Sequence, residues 1–567
     1  MNYMFEEQVV KILETAGIKT NAEKLETPPQ EEFGDLSFPC FELAKKQKRN
    51  PAEIANKIAS KIKIPKGFAI ERVEVEGAYV NFFFNSSKLS QKVLKEILNK
   101  KENYGRGNQK QKIMIEFSGP NTNKPLHVGH LRNDSIGMSV SNILEFSGNH
   151  VIRTNIINDR GVHICKSMLA YQKWGDGRTP EKENKKGDHF VGDFYVMFER
   201  ELKEDPSLEE EIHKMLKKWE EGDKEVRKLW KKMNGWTIGG IKETYKLFGS
   251  RFDLWPLESE FYDKAKPVIE EGLRKGVIFK NEDGDVAAKL EPELPNKVVI
   301  RSDGTTVYIT NDIALTKHRF EKYNIDKCIW VVATEQNLHF KQLFKIFELL
   351  GYKWAKNCYH LSYGLVNLPS GRMKTREGNV VDADDLIKEE TELAKQEILN
   401  REKKISKKEL ESRALRIALA AIKYYLLKVE PIKDVLFDPN RAISFEGDTG
   451  PYIQYAYTRC ASILRKAKKW KQTFSNKFIQ PEEKKLIKML SRFPSIVNQA
   501  SAELKPNYIC NYSYDLATAF NNFYEKYRVI NAETSELKSF RLDLVKTTQI
   551  ILGKCLELMG VYTVEKM

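Results

Sequence analysis

The stretch Ile113–Asp134, IMIEFSGPNTNKPLHVGHLRND, decides the fold of the central part of the chain. An apolar strand leads through a polar turn into a helical pattern that begins near His127. Further apolar runs follow, separated by helical stretches such as NLHFKQLFKIFELLGY; they are HVIRTNII, KVVIRS, TVYITN, KCIWVVA and YHLSYGLV. This alternation predicts an α/β domain with a doubly wound parallel sheet over residues 111–388.

The regions on either side of this domain have different patterns. Residues 1–110 combine an amphipathic start, a proline-initiated helix and two strand-like runs, which predicts a small α+β domain. Residues 389–567 show helical spacing and predict an all-helical domain. Between about 176 and 240, dense mixed charge with several tryptophans predicts a helical insertion in the central domain.

Composition limits the classes of function. The 567 residues exceed what one core usually supports, so several domains are expected. A net charge of +15 and a pI near 9.1 favour a phosphate-rich partner, although a solvated lysine-rich surface explains the charge equally well. A mean hydropathy of -0.52 and the lack of a long apolar run argue against a spanning helix, and we expect no membrane partner.

The start of the chain and the cysteines indicate a cellular compartment. Residues 1–17 show helical spacing with early acids rather than a signal-peptide pattern. The cysteines lie singly, without a C-x-x-C pair, which argues against a disulfide framework and a zinc site. We therefore expect a cytoplasmic protein, and we predict no metal site made by protein side chains.

The segment HVGH carries candidate catalytic side chains. A strand that feeds a turn and a helix N-terminus offers unpaired N–H groups and a favourable helix dipole to an anion. His127 and His130 are three residues apart, so they share a helix face and can donate hydrogen bonds to phosphate oxygens as charge builds in a transition state. Gly129 leaves room for a nucleotide base near the backbone. The alternative is a chance match of a short motif on a surface helix.

A second candidate segment, SGRMKTREGNVV, follows the run YHLSYGLV. It is a basic loop flanked by glycines, of a kind that can close over a triphosphate. Taken alone it also fits a solvated hairpin. The chain contains no G-x-x-x-x-G-K-[ST] motif, which excludes a P-loop NTPase, so a nucleotide would have to be held in another way.

Together, HVGH and RMKTREG resemble the two signatures of class I aminoacyl-tRNA synthetases. Several ordered blocks are similar to the arginyl-tRNA synthetases in particular: IEFSGPNTNKPLHVGHLRND, VYITNDIA, WVVATEQNLHFKQLF, ISFEGDTGPYIQYAYTR and DLATAFNNFYEKYRVINAE. The amino-terminal EEFGDLSF and VEGAYVNFFF resemble the tRNA-binding domain appended in that family. The resemblance covers nearly the whole chain.

The resemblance implies an arginine–tRNA ligase. Its Rossmann-type catalytic domain would activate arginine with ATP and magnesium, the magnesium being held mainly by the phosphates. It would then transfer arginine to the terminal adenosine of tRNA-Arg. Residues 1–110 would bind tRNA and residues 389–567 would bind the anticodon. The family characteristically needs bound tRNA for the first step. We expect the chain to be a monomer.

The resemblance places the ATP site at both signatures. It implies ATP contacts from His127, Gly129, His130, Met373 and Thr375. It implies catalytic roles for His127, His130, Lys124, Arg372, Lys374 and Arg376. The second signature departs from the class pattern KMSKS by losing its second lysine, and Lys124 occupies the place of a lysine thought to compensate. Which basic residue between 372 and 376 reaches the phosphates stays open.

Selecting arginine requires carboxylates that accept paired hydrogen bonds from a planar, permanently charged guanidinium. The implied arginine contacts are Glu116, Asn121, Tyr308, Asp312 and Gln336. From the residues alone, Glu116 could instead cap the turn after its strand, and Asp312 could be a helix N-cap. Asn311 stands where relatives often have arginine, and it is assigned no role.

Candidate tRNA contacts lie in both flanking domains. Tyr79 and Asn81, on one face of a strand, match positions that recognise a D-loop base in the family. Tyr455, Tyr457 and Arg459 precede a basic stretch and suit unstacked anticodon bases, although each tyrosine could equally be a core residue. Phe520 and Tyr524 share a helix face and are assigned to the core. The resemblance also brings Met567 near the anticodon.

Two other functions share parts of this pattern. A nucleotidylyltransferase of the H-x-G-H type would explain the sheet and the histidines but not the basic helical region after residue 389. A synthetase-like nucleic-acid-binding protein without catalysis would explain the charge but not His127, Gly129 and His130 beside a pair of acids.

Overall fold

The computed structural model describes residues 5–262, 264–305, 307–368, 371–372 and 381–567. The first domain has the helices and strands α1 (Glu6–Thr15), β1 (Leu36–Pro39), α2 (Phe41–Gln47), α3 (Pro51–Ala59), β2 (Ile70–Glu76), β3 (Tyr79–Phe84) and α4 (Ser86–Lys100). β3 lies between β1 and β2 and pairs antiparallel with both. The side chain of Asn50 caps α3 by accepting from Ala52 N at 2.9 Å. The predicted α+β domain is confirmed.

The central domain opens with β4 (Lys112–Glu116), α5 (Val128–Phe146), β5 (His150–Thr154) and α6 (Val162–Trp174). Three helices follow, α7 (Gly187–Glu204), α8 (Leu208–Glu220) and α9 (Lys224–Phe248). Phe190, Phe194 and Phe198 are almost fully buried among α6, α7, α8 and α9. Residues 176–240, predicted as a helical insertion, therefore form a helical module that shares an apolar core with α6.

The central domain continues with α10 (Lys266–Arg274), β6 (Ile278–Lys280), β7 (Val286–Ala288), β8 (Lys297–Ile300), α11 (Tyr308–Tyr323), β9 (Lys327–Ala333), α12 (Asn337–Leu349), β10 (Cys358–Tyr363), β11 (Val366–Leu368) and β12 (Gly371–Arg372). The sheet has the order β10-β9-β4-β5, with every neighbouring pair parallel. The predicted parallel sheet is confirmed, and β4 lies inside it.

Two of the runs predicted as strands of this sheet do not belong to it. In the run TVYITN, residues 308–311 belong to α11 rather than to a strand, and Ile309 and Ile313, four residues apart, are buried on one helix face. Its β-branched residues favour a strand locally, but the helical burial pattern of the following turns prevails. The run KVVIRS forms β8, which pairs antiparallel with β7 in a separate three-stranded sheet.

The last third of the chain is helical, as predicted. After β12 come α13 (Ala383–Arg401), α14 (Lys407–Leu427), β13 (Val435–Leu436), α15 (Pro439–Ala442), α16 (Gly450–Ala467), α17 (Pro481–Glu503), α18 (Asn507–Lys526) and α19 (Ser535–Leu558). The two-residue β13 departs from this pattern and pairs parallel with β11. The division drawn between residues 388 and 389 falls inside α13.

Two further features concern the cysteines and the apolar character of the helices. All seven cysteines have free thiols. Over the described ranges, we find no helix with the length and apolar character required to cross a membrane.

Arg132 joins the central domain to the segment that leads into the helical region. Its side chain is fully buried, and its Nη1 donates to the carbonyls of Gly364 at 2.6 Å and Leu365 at 3.0 Å. Its Nη2 donates to the carbonyls of Pro431 at 3.1 Å and Lys433 at 2.5 Å. One guanidinium on α5 thus holds the end of β10 and the segment before β13.

We predict that Arg132→Met lowers the thermal unfolding midpoint of the protein by roughly 5 °C or more, because it leaves buried carbonyls without donors. The matched control is Arg200→Met, since the side chain of Arg200 is 73% exposed and pairs with its neighbour Glu201. Scanning calorimetry of both variants checks this. Equal midpoints for the two variants would contradict the role of Arg132.

Candidate active site

The HVGH segment forms a reciprocal cap at the start of α5. His127 is the N-cap residue, in an extended conformation. The ring Nδ1 of His127 accepts from Gly129 N at 3.1 Å, and the backbone N–H of His127 donates to His130 Nδ1 at 3.2 Å. The two ring centroids are 4.0 Å apart. Since each Nδ1 accepts a hydrogen bond, the proton of each neutral ring sits on Nε2, which remains available as a donor.

The electrostatics of the segment favour neutral histidines. Burial, together with the nearby Lys124, lowers the pKa of His127 to about 4. Burial lowers the pKa of His130 well below its usual value, and His127 and Lys124 act in the same direction. Burial also lowers the pKa of the Lys124 ammonium. The two histidines can therefore serve as hydrogen-bond donors to an anion without carrying charge themselves.

Gly129 is required by the cap itself. A Cβ at this position would lie 2.9 Å from His127 Cε1, which is closer than real side chains approach. From the sequence, the missing side chain is expected to leave room for a nucleotide base. The structure adds a nearer reason, because any larger residue would push the His127 ring out of its place over the helix end.

The HVGH segment also pairs with the chain that follows the second signature. His127 and Asp382 form an antiparallel bridge. Val128 N donates to the Val381 carbonyl at 3.1 Å, and Ala383 N donates to the Leu126 carbonyl at 3.0 Å. Of the predicted residues of this signature, Arg372 lies in β12. The other four lie outside the described residues: Met373, Lys374, Thr375 and Arg376.

The two predicted acids have cationic or imidazole partners within the chain. Glu116 ends β4, and its Oε2 accepts from Nη2 of Arg319, whose side chain is 2% exposed. Burial raises the pKa of Glu116, and Arg319 opposes that shift. Asp312 Oδ2 lies 2.7 Å from His339 Nε2. Asp312 is not a helix N-cap, because Val307 takes that position in α11.

The remaining predicted arginine contacts lie near the carboxyl ends of the parallel strands or at the start of α11. Asn121 follows β4 and forms a bridge with Asn158. Gln336 follows β9 and is exposed, and Tyr308, at the start of α11, is 66% exposed. Ligands of open α/β sheets bind outside the carboxyl ends of the strands, so this edge is the expected place for a substrate.

Two charged residues near these acids were missed by the sequence analysis. Arg319 is one; Glu258 is the other, with 6% exposure and a pKa that burial raises to about 7. Glu258 Oε1 accepts from Asn311 Nδ2 at 3.1 Å, while its Oε2 has no hydrogen-bond partner among the described residues. No sequence pattern marked either residue, because their partners lie dozens to hundreds of positions away.

The structure separates the three predicted anticodon contacts. Arg459 Nη2 donates to Tyr455 Oη at 2.9 Å, and its guanidinium lies 4.6 Å from the Tyr455 ring and 5.4 Å from the ring of Tyr524. Tyr457 lies on another side of α16, where a Cβ on Gly553 of α19 would be 3.1 Å from its ring. Tyr455, Arg459 and the 38% exposed Tyr524 therefore form one surface without Tyr457.

The core assignment holds for one of the two aromatic residues of α18. Phe520 is fully buried, as expected. The prediction that Tyr524 lies in the core is wrong, because Tyr524 is partly exposed and belongs to the surface of Arg459. A four-residue spacing places two side chains on one helix side, but the edge of that side can reach solvent.

The other predicted tRNA contacts differ in accessibility. Asn81 is 3% exposed, and its Oδ1 accepts from the hydroxyl of Ser37. Tyr79 is half-buried, and its ring meets that of the exposed Phe41 edge-on at 5.5 Å. Met567 packs against the apolar cluster that contains residues of α5 and α14.

Comparisons with known proteins agree across the whole chain. The profile of "tRNA synthetases class I (R), catalytic domain" matches residues 93–439. The "DALR anticodon binding domain" matches residues 453–567, and the "Arginyl tRNA synthetase N terminal domain" matches residues 4–84. The match to the catalytic-domain family covers more than half of the chain.

Relatives and solved structures match over nearly their full length. Arginine–tRNA ligase of Treponema denticola is 45% identical over 96% of this chain and 94% of its own. That of Parabacteroides distasonis is 40% identical over 98% of both chains. The structure of Thermus thermophilus arginyl-tRNA synthetase superposes with a TM-score of 0.85 over 100% of both chains at 26% identity. The chain belongs to the arginyl-tRNA synthetase family of class I aminoacyl-tRNA synthetases.

Proposed function

We propose that this chain is an arginine–tRNA ligase that works as a cytoplasmic monomer. The observation that carries the proposal is the reciprocal cap of His127 and His130, which points two neutral Nε2–H donors away from the helix end. Relatives that match over almost their entire length bear the name arginine–tRNA ligase. The fold supplies a parallel sheet for the nucleotide and a helical region for tRNA.

In the first step a carboxylate oxygen of arginine attacks the α-phosphorus of ATP, and pyrophosphate leaves. The histidine Nε2–H groups bind the phosphates, and the backbone of Gly129 binds the nucleotide. The hydrogen bonds from Nε2–H strengthen as negative charge builds on the phosphate oxygens in the transition state. Lys124, Arg372, Lys374 and Arg376 supply positive charge for the leaving pyrophosphate, and Met373 and Thr375 contact ATP. Magnesium enters with ATP and is held mainly by its phosphates.

Arginine is selected by acids that already carry partners. Glu116 holds Arg319, and Asp312 holds His339, so each carboxylate has one oxygen engaged and one left for the guanidinium of the substrate. Tyr308 and Gln336 complete the polar surroundings, and Asn121 contacts the backbone groups of arginine. Lysine, a compact point charge, lacks the planar fork of paired N–H donors by which a guanidinium binds carboxylates.

In the second step a ribose hydroxyl of the terminal adenosine attacks the arginyl carbonyl, and AMP leaves. We propose that the surface of Tyr455, Arg459 and Tyr524 stacks on anticodon bases, and that Tyr457 and Met567 contact tRNA outside this surface. Tyr79 and Asn81 would contact a D-loop base, and for this Asn81 must exchange its hydrogen bond with Ser37.

We predict arginine-dependent exchange of pyrophosphate into ATP by the purified protein when a tRNA transcript that reads arginine codons is present. Lysine and glutamine serve as controls and should give no exchange, because neither presents a guanidinium. Exchange with arginine but without tRNA would remove the tRNA requirement carried over from the family. Failure of exchange under every condition would refute the proposed function.

We also predict that His127 remains neutral at pH 6, since burial lowers its pKa to about 4. The measurement is a titration of protein with ¹³Cε1-labelled histidine by NMR, in which the signal absent from His127→Gln identifies the residue. A midpoint near the ordinary value of about 6.5 would contradict the burial argument.

The same shift sets the sign of a stability change. The pKa of His127 is lower in the folded chain than in the unfolded chain. As the pH falls, the unfolded chain therefore binds a proton at this residue at about pH 6.5, whereas the folded chain binds it only at about pH 4. Its neutral burial therefore reduces stability by about 2 kcal/mol at about pH 5. His127→Gln should lose less stability than the wild type between about pH 7 and pH 5 in urea unfolding.

A further inference from the structure

A partly buried polar cluster joins the helical insertion to the start of α13. Lys186 Nζ donates to Asp384 Oδ2 at 2.5 Å, to Thr244 Oγ1 at 2.5 Å and to Asp188 Oδ2 at 3.1 Å. Thr244 Oγ1 donates to Asp384 Oδ1 at 3.0 Å, and His189 Nε2 lies 3.2 Å from Asp384 Oδ2. We call these five residues the Lys186 cluster. They come from the start of α7, from α9 and from the first turn of α13.

The cluster is an ion-pair network rather than a metal site. Asp188, His189 and Asp384 have ligand atoms within 4.8 Å of one another, a spacing that could hold a cation. The ammonium of Lys186 already takes hydrogen-bond positions on both carboxylates. Although burial opposes it, hydrogen bonds from His189 and Lys186 lower the pKa of Asp384 to about 2, so this carboxylate is charged and paired at neutral pH.

Close backbone packing fixes the cluster in place. A Cβ on Gly240 of α9 would lie 2.4 Å from Asp188 Oδ1, and a Cβ on Gly187 would lie 2.1 Å from the carbonyl of Trp236. α7 and α9 therefore meet at a distance that only glycine permits. The side chain of Asp188 has no exposed surface. The ammonium of Lys186 is thus presented to Asp384 from a rigid pair of helices.

From Asp384 the contacts continue to the HVGH segment. Asp382 caps α13 by accepting from Asp384 N at 2.8 Å and Asp385 N at 3.2 Å, and it lies 3.6 Å from His189 Nε2. The backbone of Asp382 forms the bridge with His127, and the residues on each side of Asp382 add two backbone hydrogen bonds to Leu126 and Val128. The first turn of α13 is therefore held by the insertion on one side and by HVGH on the other.

We propose that Lys186 is a positioning residue for the activation step, which sets the place of His127 by anchoring Asp384 and the bridged segment 381–383. The inference rests on the proposed function, in which His127 contacts the ATP phosphates. The insertion of residues 176–240 thereby acquires a role in catalysis. Its helices α7 and α9 hold segment 381–383, and this segment pairs with the segment that carries His127. Misplacing a transition-state donor costs rate rather than substrate affinity.

The test compares Lys186→Met with Lys185→Met. Lys185 is the adjacent residue and pairs with Asp193 at the surface, with side chains 38% and 55% exposed. In arginine- and tRNA-dependent pyrophosphate exchange, Lys186→Met should lower kcat about tenfold or more and leave the KM for arginine within about twofold. Lys185→Met should match the wild type. Lys186→Arg, which can still pair with both carboxylates, should recover part of kcat.

A second readout does not depend on activity. The ¹³Cε1 signal of His127 should shift in Lys186→Met and stay in place in Lys185→Met. Equal kcat values and an unmoved His127 signal in Lys186→Met would overturn the inference. A parallel loss of thermal midpoint, with every kinetic constant unchanged per folded molecule, would also overturn it, since that is the behaviour of a purely structural ion pair.

If Lys186→Met yields no folded protein, Thr244→Val takes its place. This variant keeps all charges and removes one partner from both Lys186 and Asp384. A lowered kcat with an unchanged KM for arginine supports the inference, and an unchanged kcat overturns it. A wild-type protein without arginine-dependent exchange would refute the proposed function as well, and this outcome is recognised because the unmodified protein itself is inactive.

Discussion

The arrangement of the catalytic edge depends on one buried guanidinium. Arg132 lies two positions after His130 on α5 and donates to four backbone carbonyls, two after β10 and two before β13. Burial lowers its pKa to about 10, so it remains charged at neutral pH. A charged donor with several carbonyl acceptors is among the stronger contacts a protein interior offers. The end of the sheet, the first turn of α5 and the entry to the helical region are thereby held in one frame.

Within this frame, charged side chains of the site are satisfied by the chain itself before a substrate arrives. Glu116 pairs with Arg319, Asp312 with His339 and Asp384 with Lys186. Removing a carboxylate from water is costly unless a partner compensates it, so an empty pocket built from lone acids would destabilise the fold. Partners from within the chain solve that problem and fix the orientation of each carboxylate. Glu258 differs from these acids, because its Oε2 has no hydrogen-bond partner among the described residues.

The sequence predicted the features that local chemistry controls. The strand before Glu116, the polar turn and the helix that starts at His127 follow from apolar pattern and helix-terminus preferences, and each is present. TVYITN misled because β-branched residues opened a helix whose burial pattern becomes clear only several residues later. The partners of Glu116 and Asp384 were not predictable, because Arg319 is 203 positions from the first and Lys186 is 198 from the second. The burial of Asn81 follows from Ser37 on a neighbouring strand, which the pattern of a single strand does not reveal.

The position of β4 in the sheet has a consequence for folding during synthesis on the ribosome. β4 pairs on one side with β5, which follows within the same stretch of chain, and on the other with β9. Lys112 at the start of β4 bonds to Asp326, 214 residues later. At a synthesis rate of about 5 to 20 residues per second, the open edge of β4 would wait roughly 10 to 40 s for its partner. An unpaired strand edge is a template for association with other chains. The nascent chain therefore exposes one edge of β4 to such association until β9 has been synthesised.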